Sequence, residues 1–183
     1  PISSFEGSSI PAFPWIALVV SGGHTELFLA RSVSDYKWLG GTLDDAAGEA
    51  FDKVGKLLGL PYPAGPRIDK WVREKASAAD RTRFVLPRSK PDTHHFSFSG
   101  LKTSVLNQLA KISNPSDADK LAMAASAQEA ILDPIVDRLR DCQKRYGVQQ
   151  LVVTGGVACN SRLREKLPEA YFPSPKHCSD NAA

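Results

Sequence analysis

Two stretches of this chain could hold a phosphate group. Val19-Val20-Ser21-Gly22-Gly23 and Val152-Val153-Thr154-Gly155-Gly156 each run from a β-branched strand signal into a hydroxyl residue and a glycine pair. Missing side chains let backbone come close to a phosphate, and loop N–H groups with a helix start behind them supply donors. A Gly-Gly pair is also ordinary turn punctuation, so either stretch alone is ambiguous. Two of them after similar strands could grip one nucleotide from opposite sides. A second group is acidic: Asp44, Asp45, Glu49 and Asp52. Asp45, Glu49 and Asp52 recur at i, i+4 and i+7 and so share one helix face. That face could coordinate a hard cation or accept hydrogen bonds from a ribose. A solvated face with acids favoured by the helix dipole has the same pattern.

Other reactive side chains are less organised. His24 lies inside the first glycine turn. His94-His95 falls in a polar stretch without a second ligand pair and reads as a surface feature. Asp180 could bind a metal, but one carboxylate is not a site. Ser99-Gly100-Leu101-Lys102 matches S-x-x-K and Ser179-Asp180-Asn181 matches S-D-N, the order of penicillin-recognising serine enzymes. The K-T-G element of that chemistry is missing, so the pair is a decoy.

The elements that must position these residues follow from periodicity and punctuation. Residues 1–14 are rich in Ser, Pro and Gly and read as a loop. Residues 15–20 and 26–30 are strand signals, and the glycines between them suggest a hairpin. Leu43, Ala47, Phe51, Val54 and Leu58 predict an amphipathic helix over 42–58. Thr42 is placed to cap it, Asp45 to complete a capping box, and Gly59 to end it. Tyr62-Pro-Ala-Gly-Pro66 is a rigid turn, with a short helix after it over 68–78. Ser89 to Ser99 is loop-like, and 100–112 is helical with Ser99 as a possible cap. A long helical stretch spans 117–146, which Pro134 should kink or split. Residues 149–153 form a strand and 160–167 a helix. Strands alternating with helices indicate an α/β domain with a partly parallel sheet.

Composition narrows the field. The 183 residues carry 23 Lys+Arg against 20 Asp+Glu, a net +3 too small to argue nucleic-acid binding alone. The length predicts one domain, or at most two. The longest apolar run, around 16–20, is far short of the ~20 residues of a membrane helix. Cys142, Cys159 and Cys178 are odd in number and form no C-x-x-C pair, which fits a reducing cytosol. Neither a G-x-x-x-x-G-K-[ST] phosphate loop nor a G-x-G-x-x-G fingerprint occurs.

Six motifs occur in order: Val20-Ser-Gly-Gly-His-Thr25, Asp44-Asp-Ala-Ala-Gly-Glu-Ala-Phe-Asp-Lys53, Tyr62-Pro-Ala-Gly-Pro66, Phe96-Ser-Phe-Ser-Gly-Leu-Lys-Thr103, Gly155-Gly-Val-Ala-Cys-Asn160 and Cys178-Ser-Asp-Asn181. With them, the chain from about Phe13 to Ala183 resembles the bacterial TsaD family of tRNA N6-adenosine threonylcarbamoyltransferases, formerly described as glycoproteases. The resemblance implies an actin-like ATPase (ribonuclease H-like) fold, of which 15–183 would be mostly the C-terminal, nucleotide-binding lobe. It implies transfer of threonylcarbamoyl from its adenylate to N6 of adenosine 37 in tRNAs reading codons that begin with A. By matching positions, Val19, Val20, Ser21, Gly22 and Gly23 would cradle the phosphate and acyl part of the donor. Asp52 and Asp69 would bind the ribose, and Gly65 would allow its close approach. Gly155, Gly156 and Asn160 would form the second turn, with Asn160 on the adenine side.

The resemblance also implies a divalent metal, iron or alternatively zinc, with Asp180 as its carboxylate ligand. Its other two ligands would be an H-x-x-x-H pair shortly before Phe13. No such pair occurs in this sequence, so both histidines are expected upstream of Pro1. The implied ligands and partners are ATP or threonylcarbamoyl-AMP, tRNA, a TsaB-like paralogue, a TsaE-like small ATPase and the synthase that makes threonylcarbamoyl-AMP. The expectation is a piece of a longer cytoplasmic enzyme, inactive by itself and truncated at both ends, before Pro1 and after Ala183. The alternative is a non-catalytic, paralogue-like scaffold or nucleotide-binding module of the same complex. Retention of Asp52, Asn160 and Asp180 together favours the enzyme.

Overall fold

The computed structural model describes residues 11–89 and 94–174. Its centre is a four-stranded sheet in the order β3-β2-β1-β4. Strands β1 (Trp15–Val20), β2 (Thr25–Ala30) and β3 (Tyr36–Gly41) form an antiparallel meander, and β4 (Gln150–Thr154) lies parallel to β1. β1 is apolar throughout because it is central and covered on both faces. Ile16, Leu18 and Val20 join Leu27 and Leu29 in the main core. Trp15 and Ala17 join Ala30 and Val152 in a smaller cluster on the other face, where Phe13 stacks on Trp15. Of the expected N-terminal loop over 1–14, the part from Pro1 to Ile10 lies outside the described residues.

Helices α1 (Ala47–Leu57), α2 (Gly65–Lys75), α3 (Ser99–Leu109), α4 (Asp117–Tyr146) and α5 (Ser161–Lys166) complete the fold. α4 is its buried axis. Every residue from Ala122 to Leu132 is buried, and five of the first nine are alanines, which let neighbouring elements pack closely. A full capping box between Ser116 and Asp119 starts it, and Gly147 in the left-handed region ends it. Pro134 does not split this helix as the sequence suggests. Ile131, Leu132, Ile135, Val136 and Leu139 are buried on both sides of the proline, and that packing outweighs one missing backbone hydrogen bond.

Other boundaries differ from the sequence reading for local reasons. The first helix begins at Ala47, not Thr42. Thr42 instead bridges to Phe96, and its hydroxyl donates to the Asp45 carbonyl oxygen at 2.6 Å. Leu43, expected on the apolar face, is exposed. The cap comes from the sheet, because the Ala47 N–H donates to Thr25 Oγ1 at 2.9 Å. α2 starts at Gly65 rather than 68, since Pro66 suits a first turn whose N–H groups need no intrahelical partner. β3 escaped notice because Tyr36, Lys37 and Trp38 are exposed on an edge strand that ends in two glycines. His94 and His95 are half-buried, not a surface pair. His94 Nδ1 lies 3.6 Å from Cys142 Sγ, and His95 Nδ1 lies 3.2 Å from the Gly41 carbonyl oxygen.

α3 shows how a distant residue can serve as a helix cap. Its N-cap, Phe98, has no capping side chain, and Ser99 lies within the helix. Asp44 takes the role from across the fold, accepting from the Phe98 N–H at 2.7 Å, the Ser99 N–H at 3.2 Å and the Ser97 and Ser99 hydroxyls at 2.6 and 2.9 Å. Burial pushes this carboxyl upward, but the hydrogen bonds from Ser97, Phe98 and Ser99 outweigh it and hold the group below the usual aspartate range. A carboxylate shifted down stabilises the fold above its unfolded-state pKa, and the contribution fades as pH falls through the lower folded value. Asp44→Ala should therefore cost about 1 kcal/mol at neutral pH. That penalty should shrink below about pH 4, a difference readable from urea melts of both proteins at two pH values.

Candidate functional site

The two glycine turns meet because of strand register. In the parallel β1–β4 pair Val19 is opposite Thr154, so both turns leave the sheet at the carboxyl ends of neighbouring strands. This is where open α/β sheets place their ligands. In the first turn the Ser21 N–H donates to the His24 carbonyl oxygen at 2.8 Å. Its hydroxyl accepts from the Gly23 and His24 N–H groups, both at 3.2 Å, so Ser21 shapes the turn from its buried position. In the second, Gly155 has φ 99° and opens a single 3-10 turn, Gly156–Cys159. A Cβ on Gly155 would collide with the Val20 backbone.

α1 approaches the first turn just as closely. The Gly48 N–H donates to the Ser21 carbonyl oxygen at 3.1 Å, and a Cβ on Gly48 would lie 2.6 Å from that oxygen. The sequence reading missed Gly48. Its only signal was a glycine in the first turn of a helix that has no other reason to tolerate one.

Between the turns, α1 and α2 lies a cleft of about 300 Å³. Of the residues singled out from sequence, Gly22, Asp52, Gly65, Asp69, Gly156 and Asn160 line it. Gly23 faces an adjoining hollow that shares Gly22 and Asp52. Val20 is core, Val19 is half-buried beside Thr154, and Gly155 stands behind the second turn against Val20. The residues of the metal expectation fall outside the described part of the chain. Asp180, with His177, Cys178 and Ser179, lies outside the described residues. So does Pro1, and the histidine pair expected upstream of it is not in this sequence. Among the described residues no group of three or more His, Cys, Asp and Glu side chains could hold a metal ion.

The polar lining residues also bind the walls together. Asp52 Oδ1 accepts from the Ala64 N–H at 2.7 Å, fastening the turn before α2 onto α1. Asp69, buried on α2, accepts from the Ser161 N–H with both oxygens at 3.1 Å and from the Ser161 hydroxyl at 2.7 Å. Asn160 caps α5 by accepting from the Leu163 N–H at 3.0 Å and donates to Gln128 of α4 at 3.2 Å. The acidic face foreseen on one helix is divided: Lys53 takes Asp45 at 2.6 Å and Glu49 at 3.0 Å, leaving Asp52 to the cleft.

α5 is further clamped to α4 by Glu129, a buried carboxylate the sequence reading did not single out. It pairs with Arg162 at 2.8 Å, Lys166 at 2.7 Å and Arg81 at 3.3 Å. Burial pushes its carboxyl up, and Arg162 and Lys166 more than reverse this, holding it below the usual range. No local spacing reveals such a group, because its partners lie in other elements.

Comparison with known proteins bears on the family and the fold. A family model described as "TsaD: tRNA N6-adenosine threonylcarbamoyltransferase" matches residues 2–183. A tRNA N6-adenosine threonylcarbamoyltransferase of Geotalea uraniireducens is 50% identical over 182 residues, covering 93% of this chain and 52% of its own length. Its counterpart in Anaeromyxobacter sp. is 44% identical over 191 residues, covering 100% and 57%. The chain thus spans about half the length of the curated relatives it matches. Among solved structures, the activator of the 2-hydroxyisocaproyl-CoA dehydratase from Clostridium difficile with bound ADPNP superposes with a TM-score of 0.52 at 15% identity, covering 96% of this chain and 60% of its own. HypF of T. kodakarensis gives 0.56 at 14%, covering 84% and 20%. Identities this low speak to fold alone, and the fold is the actin-like ATPase fold.

Gly155, behind the second turn, and Gly65, on the cleft wall, should respond differently to a methyl group. Gly155→Ala must strain a positive φ and displace the Val20 backbone, so it should lose about 3 kcal/mol of stability. At Gly65 an added Cβ would find nothing nearer than Phe51 Cβ at 3.7 Å, an ordinary contact. Gly65→Ala should stay within about 0.5 kcal/mol of the parent in the same chemical melts.

Proposed function

We propose, from the premise that this chain belongs to the TsaD family of tRNA N6-adenosine threonylcarbamoyltransferases, that its cleft binds the adenylate part of an activated threonylcarbamoyl donor. One observation carries the reading: two Gly-Gly turns from adjacent parallel strands open beside Asp52, Gly65, Asp69 and Asn160 on a single cleft. Glycine backbone can approach the phosphate from both turns, and the Gly22 N–H has no acceptor among the described residues. Asp52 Oδ2 is likewise without a partner there, since only Oδ1 engages Ala64, and it is suited to accept from a ribose hydroxyl. Asp69 and Asn160 act as walls whose own hydrogen bonds are already made. The fold-level neighbour with ADPNP supports a nucleotide ligand, whether ATP or threonylcarbamoyl-AMP.

In the protein to which this lobe belongs, the reaction is an acyl transfer. The N6 nitrogen of adenosine 37 forms a bond to the carbamoyl carbon, the bond from that carbon to the phosphate oxygen breaks, and AMP departs with the electron pair. The amine gives its proton to solvent. The donor arrives activated as a mixed anhydride, so the residues of the cleft mainly orient it and face its phosphate with backbone dipoles. No protein nucleophile is required. Cys159 and Ser99 are given no such role.

The wider assignments stay at the level of the whole protein. They are tRNA as acceptor, a TsaB-like paralogue and a TsaE-like ATPase as partners, a synthase supplying the adenylate, and the cytoplasm as compartment. No helix among the described residues is long and apolar enough to cross a membrane. A divalent metal, iron or zinc, belongs to the proposal through Asp180 alone. The described residues do not assemble a donor set for it, and no step of this reading passes through it.

Titration calorimetry with ATP and with AMP tests the cleft. Asp52→Ala should weaken binding about tenfold or more, the loss expected for a hydrogen bond to a charged group. Asp52→Asn keeps an oxygen for Ala64 and separates the wall contact from the charge. Equal affinity for the parent and both variants would refute the assignment of Asp52.

A further inference from the structure

The mouth of the cleft carries residues that nucleotide binding does not use. Tyr62, in the turn between α1 and α2, is 81% exposed, although it borders both the cleft and the adjoining hollow. An aromatic ring left in water at a site entrance buries nothing of its own fold. Cations stand on both sides of it. Lys56 of α1 lines the hollow, and Lys70 and Arg73 of α2 line the cleft. Arg67 lies one helical turn before Lys70.

Three of these four cations, Lys56, Arg67 and Lys70, are exposed and form no ion pair among the described residues. Arg73 has only Asp69 at 3.8 Å, too long for a hydrogen bond. Of the carboxylates nearby, Glu49 is taken by Lys53, Asp52 accepts from Ala64 and Asp69 accepts from Ser161, which leaves Glu74 of α2 as the exposed acid beside them. The lip therefore carries an excess of positive charge, with Lys56, Arg67, Lys70 and Arg73 exposed against Glu74.

An exposed aromatic ring flanked by exposed cations is the pattern that binds single-stranded nucleic acid, the ring stacking a base and the cations following the backbone. We infer that Tyr62, with Lys56, Lys70 and Arg73, forms a docking lip for a single-stranded RNA loop, which it presents to the cleft. Tyr62 stacks a base of that loop, and the cations contact phosphates on either side. This rests on reading the cleft as the donor site of a tRNA-modifying enzyme, and it names the surface of this lobe that meets the RNA. An acidic peptide would satisfy the cations but would give the ring no base to stack on.

The test is fluorescence anisotropy with a labelled RNA hairpin whose single-stranded loop contains adenosine, titrated with this chain at several KCl concentrations. The parent should bind with an affinity that falls steeply between about 50 and 200 mM salt. Lys70→Glu/Arg73→Glu should weaken binding at least tenfold and flatten the salt dependence by about 1.5 units of log–log slope, the loss of two phosphate contacts. Tyr62→Ala should lose about five- to hundredfold with the slope unchanged, and Tyr62→Phe should restore it. Thermal melts of the variants confirm folding, since every substituted side chain is solvent-facing. No RNA binding by the parent, or parent-like affinity in either the charge-reversed or the Tyr62→Ala protein, overturns the lip. ATP titration of the parent separates the two readings: ATP binding without RNA binding removes the lip and leaves the cleft, whereas loss of both removes the cleft as well.

Discussion

The closeness of two backbones, at the point where β4 ends beside β1, governs this molecule. Gly155 sits against the Val20 carbonyl at a φ of 99°, where a Cβ would occupy space already filled. The parallel register between Val19 and Thr154 brings the strands there, and only glycine lets the chain turn away at once. Both glycine turns then open at one level and in one direction. Had β4 needed another residue to clear β1, the second turn would have been displaced along the strand by about 3.3 Å. Two loops facing one cleft would have become two separate loops.

A site set by backbone must have its walls held just as firmly, and here the polar lining residues do the holding. Asp52 anchors the turn before α2, Asp69 anchors α5, and Asn160 ties α5 to α4 through Gln128. Glu129 adds two ion pairs from α5 and one from Arg81. A buried carboxylate costs several kcal/mol of desolvation, and partners on several sides are what make it tolerable. The same logic appears at α3, where Asp44 collects four hydrogen bonds from one helix start. Few of these groups must reorganise when a ligand arrives, the condition under which fixed dipoles act most effectively on developing charge.

Legibility followed the range of the interaction that decided each element. β1, the hairpin turn and the extent of α4 were plain from sequence, since an apolar run, a glycine pair and a long helical stretch are local signals, although the Ser116–Asp119 box that starts α4 went unread. Each glycine turn was ambiguous alone, and what puts Gly22 and Gly156 on one cleft is the pairing of β1 with β4, which no local spacing shows. What local spacing hid was decided elsewhere in the chain. α1 starts at Ala47 because Thr25 of β2 receives its first N–H, and no pattern within 42–47 says so. Leu43 matched the helical period but follows a residue held in a bridge with Phe96. Asp44 looked like one of four acids on a helix and is the cap of another helix some fifty residues on. Glu129 was one polar residue in a run of alanines until Arg81, Arg162 and Lys166 converged on it.

The distribution of charge follows from the same division between wall and mouth. A cleft for a nucleotide phosphate needs few full positive charges, because backbone dipoles in a partly dry site act at short range and low dielectric. The mouth has no such advantage, as water and salt screen any dipole there within about 8–10 Å. Only whole charges on long, mobile side chains exert force at that distance, and Lys56, Arg67, Lys70 and Arg73 are of that kind. Were Asp69 aimed outward, it would cancel Arg73 and Lys70. Its hydrogen bonds to Ser161 support α5 and leave it only a 3.8 Å contact with Arg73. One hydrogen-bonded carboxylate thus fixes the wall of the cleft and takes little from the positive excess of its lip. The weak net charge of +3 conceals this, because an average over 183 residues cannot register which charges have been turned inward.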